Sequence, residues 1–431
     1  RNLIRSHACG VGDPLPEEAV RAAMLLRANA LARGSSGVRR ELIETILEML
    51  NAGVCPVVPS QGSLGASGDL APLAHIALVV MGEGEAVVSG RRMPGARAMA
   101  SAGIPPLTLE AKEGLALVNG TQVMTGIGGL CALDAWTLAR TADAVASLSV
   151  EALQGISTAF DHRLMATRPH PGQAVSAANL LRLLEGSRLV TRPGEVRVQD
   201  PYALRCIPQV HGAARDALAH ITAVLEREMN SATDNPLLFP ADGEVLSGGN
   251  FHGEPVALVL DFLAIAVAEL ASISERRTER LVNPHLSGLP PFLTPRGGLN
   301  SGMMLAQYTA AALVSENQVL ASPARVDTIP ASANQEDHVS MGTIAARKAR
   351  QVVDNAVRVL AIELMCAAQA ADIRGSQGLG RGGRALWRVA RSRVPPLEDD
   401  RVLADDIEAL GSMIVRGEVL AAVEAEVGPL E

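Results

Sequence analysis

Aromatic side chains are nearly missing from this chain. Two Trp, two Tyr and five Phe occur in 431 residues, 2% of the total. A core of packed rings is excluded, and burial must come from Ala, Leu, Val and Ile, which supply most of the 48% hydrophobic share. Cysteine is also sparse. Cys9, Cys55, Cys131, Cys206 and Cys366 are odd in number, far apart and without C-x-x-C spacing, which argues against a disulfide framework and for a reduced, cytoplasmic setting. No block of like charge exists: 46 acidic and 38 basic side chains are interspersed to a net charge of -8, so no nucleic-acid footprint is present. The nine histidines lack the short paired spacings of a zinc site, and no metal is expected. The glycine-rich run from Gly375 to Gly383 lacks a Gly-Lys-Ser/Thr ending and follows a helix, so a flexible loop is expected there and no nucleotide. Residues Pro255 to Ile273 are apolar enough to consider a membrane span, but Asp261 and Glu269 fall inside it. Each costs about 2.5 to 3.5 kcal/mol near a bilayer centre, so a buried helix is expected and no membrane. The opening RNLIRSHACG has no apolar signal core and starts with Arg1 rather than Met; an N-terminally incomplete chain is expected.

What is present reads as helix. Pro255 suits a first helical turn, and Leu258, Phe262, Ile265, Leu270 and Ile273 follow with helical spacing until Pro284. A second helix is expected from about Gly302 to Leu320, with Met304, Tyr308, Ala312 and Val319 as core positions, and a third from about Val339 to Ile373, where Val352, Ala356, Val359 and Leu360 share a face. Pro208 to Met229 reads as a fourth. Stretches 186 to 201 and 283 to 300, rich in Pro, Gly and polar residues, read as loops. The sole strand signal is a hairpin at Ala86 to Met93 turning at Ser89-Gly90. No internal repeat is evident, and the fold class expected is all-α, a bundle of long helices with minor hairpin content.

One tripeptide carries unusual chemistry. Ala66-Ser67-Gly68, between Gly65 and Asp69, is on its own either a plain Gly/Ser turn or the precursor of an electrophile. If the Gly68 amide nitrogen attacks the Ala66 carbonyl carbon and two waters leave, one from Ser67, a 4-methylidene-imidazol-5-one (MIO) ring results. Ordinary side chains supply many nucleophiles but almost no electrophiles, which enzymes otherwise borrow from cofactors. The closure needs a tightly bent backbone that a Cβ at the glycines would obstruct.

The surroundings narrow the choice. GASGDLAPLAH (65–75), LTLEAKEGLALVNGTQ (107–122), RPHPGQ (168–173), VQDPYALRC (198–206), EMNSATDNPL (228–237), LSGGNFHGEP (246–255), SGLPPFL (287–293), GLNSG (298–302) and SANQEDHVSMG (332–342) together resemble the aromatic amino acid ammonia-lyases, the branch acting on histidine in particular. The resemblance spans most of the chain. It implies a single helical domain over 1–431 that lacks its N-terminal segment, with 1–185 bearing the ring and 186–431 forming the central bundle and C-terminal part. It also implies a homotetramer with shared sites, and non-oxidative elimination of ammonia from L-histidine to trans-urocanate, the first step of histidine breakdown.

An ammonia-lyase needs an electrophile, a base and a clamp for the substrate carboxylate. The resemblance assigns the electrophile to Ala66, Ser67 and Gly68, self-formed without metal or nucleotide, and places Asn119 beside it. Arg205 corresponds to the carboxylate clamp, suited to a planar guanidinium. Gln199 and Tyr202 line the pocket, Tyr202 as a proton carrier or polar contact, and Phe251 packs near the ring. His7 and Glu336 carry the substrate choice, since an imidazole and a carboxylate can both bond a substrate imidazole. The resemblance assigns the β-proton base to a tyrosine on an upstream loop, expected to belong to the N-terminal segment that this chain lacks. Phenylalanine or tyrosine lyases, aminomutases, and a non-catalytic helical relative therefore stand as alternatives.

Overall fold

The computed structural model describes residues 1–431 and consists of eighteen α-helices joined by loops and short strands. All-α is the correct class. The four expected helices are found as Ile207–Met229, Glu254–Val282, Met304–Leu320 and Gly342–Arg374. Pro255 is the second residue of its helix, where a missing N–H leaves no intrahelical bond unmade. The apolar window of this helix is long enough to cross a membrane, yet 67% of it is buried within the protein. The chain divides into two compact units: one of Arg1–Cys131, Ile221–Phe262 and Pro323–Arg350, the other of Ala132–His220, Leu263–Ser322 and Gln351–Glu431.

The first unit holds all the strands. Glu85–Val88 and Arg91–Pro94 form the expected hairpin, with Ser89 and Gly90 both at positive φ, 51° and 73°, the geometry of a two-residue turn that matches strand twist. Three further pairings were not expected: Cys55–Pro56 on Glu85–Val88, Val11–Pro14 on Pro59–Gln61, and Leu237–Phe239 on Glu244–Leu246. Strands of two to four residues are too short to show alternation.

The second unit shows how a chain without rings fills a core. Gly342–Arg374 runs into it with Ala361, Ala367, Ala368, Ala370 and Ala371 all fully buried, small side chains that let neighbouring backbones approach. Polar ties then fix which helix faces which. Glu363, fully buried, accepts from Ser149 Oγ at 2.6 Å and from Arg277 at 2.5 and 2.8 Å. Asp143 accepts from Ser176, Asn179, His211 and Arg215 at 2.6 to 3.0 Å. Burial alone would raise the Asp143 carboxyl, but Arg215 and His211 outweigh it and hold the group at about 2. Removing one partner from such a network would leave a buried charge uncompensated, at a cost of about 3 to 5 kcal/mol.

Two expectations need correction here. The core positions assigned to Met304–Leu320 are displaced: Ala306, Ala310 and Asn317 point inward, whereas Tyr308 and Val319 are 57% and 73% exposed. Both faces of this helix are apolar, so periodicity could not tell inside from outside. Nor is the run Gly375–Gly383 a flexible loop. Gly380 donates its N–H to Glu151 Oε1 at 2.6 Å, a helix begins at Arg381, and a Cβ at Gly383 would run into the Glu151 carboxyl.

Burial raises the Glu151 carboxyl to about 7, against the partial offset of the Gly380 N–H. Its folded pKa lies above the unfolded value of 4.5, so its contribution favours the fold below about pH 4.5 and is lost as pH rises through about 7. Glu151→Gln keeps an acceptor for Gly380 and has no proton to lose. The variant is expected to gain about 1 to 3 kcal/mol over the parent at pH 8 and nothing at pH 4, read as the shift in thermal midpoint; equal midpoints at pH 8 would contradict the assignment.

Candidate active site

The Ala-Ser-Gly turn lies in the first unit, at the entrance to the helix Leu70–Val80. Its backbone is bent as the chemistry requires: Gly65, Ser67 and Gly68 all have positive φ, 79°, 50° and 81°, and the Gly68 N–H donates to the Gly65 carbonyl at 3.3 Å. A positive φ is costly for serine and holds only where the surroundings enforce it. A Cβ on Gly68 would collide with the Gly120 carbonyl. Gly120 binds both peptides that flank residue 68, donating to the Ser67 carbonyl at 3.1 Å and accepting from the Asp69 N–H at 2.7 Å.

Asp69 is the anchor beneath the turn. Its carboxylate does not cap its own helix; it accepts from the N–H groups of Val123 and Met124 at 2.8 and 2.9 Å and from the Thr343 hydroxyl. One buried acid thereby ties the turn to the first turns of Gln122–Ala152 and Gly342–Arg374, where helix N-terminal N–H groups welcome negative charge. Burial raises its carboxyl to about 6, against the lowering effect of those donors.

Glu336 reaches the turn from far along the chain. Its Oε1 accepts from Ser67 Oγ at 2.8 Å and its Oε2 from Ser332 Oγ at 2.6 Å. The segment is folded back by paired backbone bonds between Ala331 and Glu336 and by positive φ at Ser332, Ala333 and Asn334. His7 ends the helix Asn2–His7, with Ser6 Oγ 3.0 Å from its Nδ1. His7, Ala66, Gly68 and Glu336 line one cavity of about 250 Å³.

Asn119 and Phe251 do not line that cavity. The Asn119 amide is buried and donates to Asp234 Oδ1 at 3.1 Å and to the Asn235 carbonyl at 3.2 Å, while Lys112 Nζ sits 2.5 Å from the other Asp234 oxygen. Phe251 is half-buried in the turn before Glu254–Val282. Gln199, Tyr202 and Arg205 belong to the second unit. Asp200 fixes their segment by accepting from the Ile156 N–H and from Arg197 Nε, both at 2.5 Å. Gln199 and Arg205 line a cavity of about 480 Å³ there. The Arg205 guanidinium stacks 4.8 Å over the Tyr202 ring, and its Nε is buried without a partner.

Sequence reasoning missed several of these residues. Arg27, on the helix Glu17–Ala32, is 1% exposed and donates to the carbonyls of Ala116 and Asn119 at 2.9 and 3.0 Å and to Gln122 Oε1. Burial pulls its guanidinium down to about 10, still charged at neutral pH. The available signal was its register, a charge on the face that carries Val20, Met24 and Leu31. Donor atoms of His252, Glu254 and His338 also come within 4.8 Å of one another, a grouping that spacing along the chain did not suggest. Arg325 already supplies the cation there, paired with Glu254 and with Nη2 3.3 Å from His338 Nε2.

A sequence profile of the family described as aromatic amino acid lyase matches residues 1–392. The chain belongs to the aromatic amino acid lyase family. Among relatives, it is 64% identical over 431 residues to the histidine ammonia-lyase of Symbiobacterium thermophilum, covering all of this chain and 85% of that one, and 62% identical over 426 residues to that of Caldanaerobacter subterraneus subsp. tengcongensis, covering 99% and 84%. Among solved structures, histidine ammonia-lyase from Trypanosoma cruzi superposes with a TM-score of 0.93 at 45% identity over 99% of this chain and 81% of that one. The tyrosine aminomutase of Streptomyces globisporus superposes at 0.96 with 42% identity, over 100% and 85%. Within the aromatic amino acid lyase fold, the turn bearing Ser67 is thus joined to Glu336 and His7 in one unit, while the segment bearing Arg205 belongs to the other.

Proposed function

We propose that this chain is a histidine ammonia-lyase, a carbon-nitrogen lyase that eliminates ammonia from L-histidine to give trans-urocanate. The observation that carries the substrate choice is the seating of Glu336 on Ser67 at 2.8 Å with His7 lining the same cavity. A carboxylate accepts from an imidazole N–H and an imidazole can exchange a hydrogen bond with another, whereas a phenyl ring offers neither partner anything to bond. Identity of 64% to a histidine ammonia-lyase, against 42% to a tyrosine aminomutase, supports the same choice.

The turn fits the proposed MIO ring: backbone at positive φ, a glycine at 68 where a Cβ would strike Gly120, and a serine hydroxyl free of the backbone. The ring supplies an electrophile that turns the substrate amino group into a leaving group. The chain's own side chains do the rest. Arg205 holds the substrate carboxylate through two parallel donors, Gln199 and Tyr202 complete that end, and Tyr202, packed under the guanidinium, keeps it aimed. Glu336 fixes the substrate ring and accepts or returns a proton, with Ser332 holding its second oxygen. Asn119 acts through its backbone, as the peptide that leads into Gly120, and Phe251 excludes water from the approach. The active form is a cytoplasmic homotetramer, the compartment favoured by five widely separated cysteines without C-x-x-C spacing.

Incubating the gene product from its own locus with L-histidine, L-tyrosine and L-phenylalanine separately is expected to release ammonia and urocanate from histidine at least about tenfold faster than product from either other substrate. Preferential turnover of tyrosine, or its conversion to a β-amino acid, would overturn the substrate assignment.

A further inference from the structure

Arg27 is a buried cation that spends its donors on neutral oxygens. Two are backbone carbonyls and one is the Gln122 amide, and its Nε has no partner. Keeping a charge in such a place is costly, and the nearby Asp234 and Asp69 carboxylates offset the cost of burial only in part. The carbonyl of Asn119, bonded to Nη2 at 3.0 Å, shares a peptide unit with the Gly120 N–H, and that N–H donates to the Ser67 carbonyl at 3.1 Å. Nothing separates these groups: a Cβ on Gly120 would strike Arg27, and one on Gly68 would strike the Gly120 carbonyl.

We infer that Arg27 is a positioning residue for MIO formation, acting on the Ser67-Gly68 peptide through the Asn119-Gly120 peptide; this rests on the reading of Ala66-Ser67-Gly68 as the ring precursor. In ring closure the Gly68 nitrogen bonds to the Ala66 carbonyl carbon and its proton passes to the Ala66 oxygen. That oxygen leaves as water with the Ser67 amide proton, leaving a C=N bond. The second water takes the Ser67 hydroxyl and the Ser67 α-proton. Two waters are lost and no electrons are gained or lost. As the Gly68 nitrogen gives up its proton, negative charge collects on the Ser67 carbonyl oxygen, to which the Gly120 N–H is bonded. A guanidinium on the far end of that same peptide polarises it and makes its N–H a stronger donor, because hydrogen bonds in a chain reinforce one another. The same contacts hold the wall against which residues 67 and 68 are bent.

The test follows ring formation per folded chain. Wild type, Arg27→Lys, Arg27→Gln and Arg27→Met are made in full by cell-free synthesis, and the fraction of chains lighter by two waters is followed by intact mass, with helical content followed by circular dichroism. Arg27→Gln and Arg27→Met are expected to form the ring about tenfold to a hundredfold more slowly at unchanged helical content, and Arg27→Lys, which keeps the charge, to recover most of the rate. Where Arg27→Met does not fold, the comparison of Lys with Gln decides, since both keep a donor and only one a charge. Ring formation in Arg27→Gln at the wild-type rate, or ring loss that only tracks loss of helical signal across the series, would overturn the inference. A wild-type chain that never loses two waters would instead sink the ring reading on which it rests.

Discussion

Ser67→Ala is expected to abolish turnover while leaving the helical fold in place. In the proposed ring closure the second dehydration removes the Ser67 hydroxyl, and alanine has none to lose, so the variant would keep a peptide where the wild type is proposed to build an electrophile. Removing a group that acts directly on substrate costs roughly a thousandfold or more in rate. The structural cost is small by comparison. Ser67 is half-buried, its Oγ contacts Glu336 alone among its hydrogen-bond partners, and its φ of 50° is no harder for alanine than for serine. Glu336 retains Ser332 as a donor, so the change in stability should stay within about 1 kcal/mol. Urocanate absorbance measures the rate and a thermal melt measures the fold. Wild-type turnover in the variant, or a variant that simply unfolds, would remove the chemical role given to Ser67.

Much of the fold was legible because apolar spacing and proline agree. Glu254–Val282 announces itself by Pro255 in its first turn and Pro284 just past its end, and the hairpin by Ser89-Gly90. Gln122–Ala152, at 31 residues, went unremarked. Its core residues fall on every face, from Val123 and Met124 through Ala132, Ala135 and Leu138 to Val145 and Leu148, so no polar stripe marks a period, and Gly126, Gly128 and Gly129 weaken its propensity. Tyr308 and Val319 were assigned inward because they are apolar; they lie outward because Ala306 and Ala310 fit a tighter approach. The site divides along the same line. Ser67 could be identified as a chemical oddity, and Glu336 only by resemblance, since 269 residues separate two groups that touch. Asp69 and Arg27 escaped notice because they hold backbone, and Asp234 because it holds the Asn119 and Lys112 side chains, rather than substrate; no local pattern distinguishes such an acid from one in solvent.

The second large expectation is that two inactive variants restore activity to one another. The cavity beside Ser67 offers His7 and Glu336 but no arginine or lysine among its lining residues, and a substrate carboxylate needs a cation. Arg205, stacked on Tyr202 with its Nε unpartnered, is the proposed clamp. The family resemblance implies that the loops bearing Gln199 to Arg205, Phe251 and Glu336 come from different copies around each ring, but Glu336 meets Ser67 within one chain, so the sharing is tested on Arg205. Surface chemistry favours such an assembly. Leu258, Phe262 and Ile265 form a stripe along one helix, exposed by 41 to 54%, and Leu305, Tyr308 and Val319 are exposed on another by 51 to 73%. Covering them between copies contributes about 25 cal/mol per Å² of apolar surface. Ser67→Ala cannot form the proposed ring and Arg205→Ala lacks the proposed clamp, and each variant on its own is expected to be inactive. Mixed in equal amounts under conditions that exchange subunits, they should regain roughly a quarter of the wild-type rate. A site has one chance in two of an intact Ser67 from one copy and, independently, one in two of an intact Arg205 from another. Mass measurement of the intact assemblies establishes that mixed tetramers formed. If they form and no activity returns, ring and clamp come from one chain, and the shared-site proposal fails.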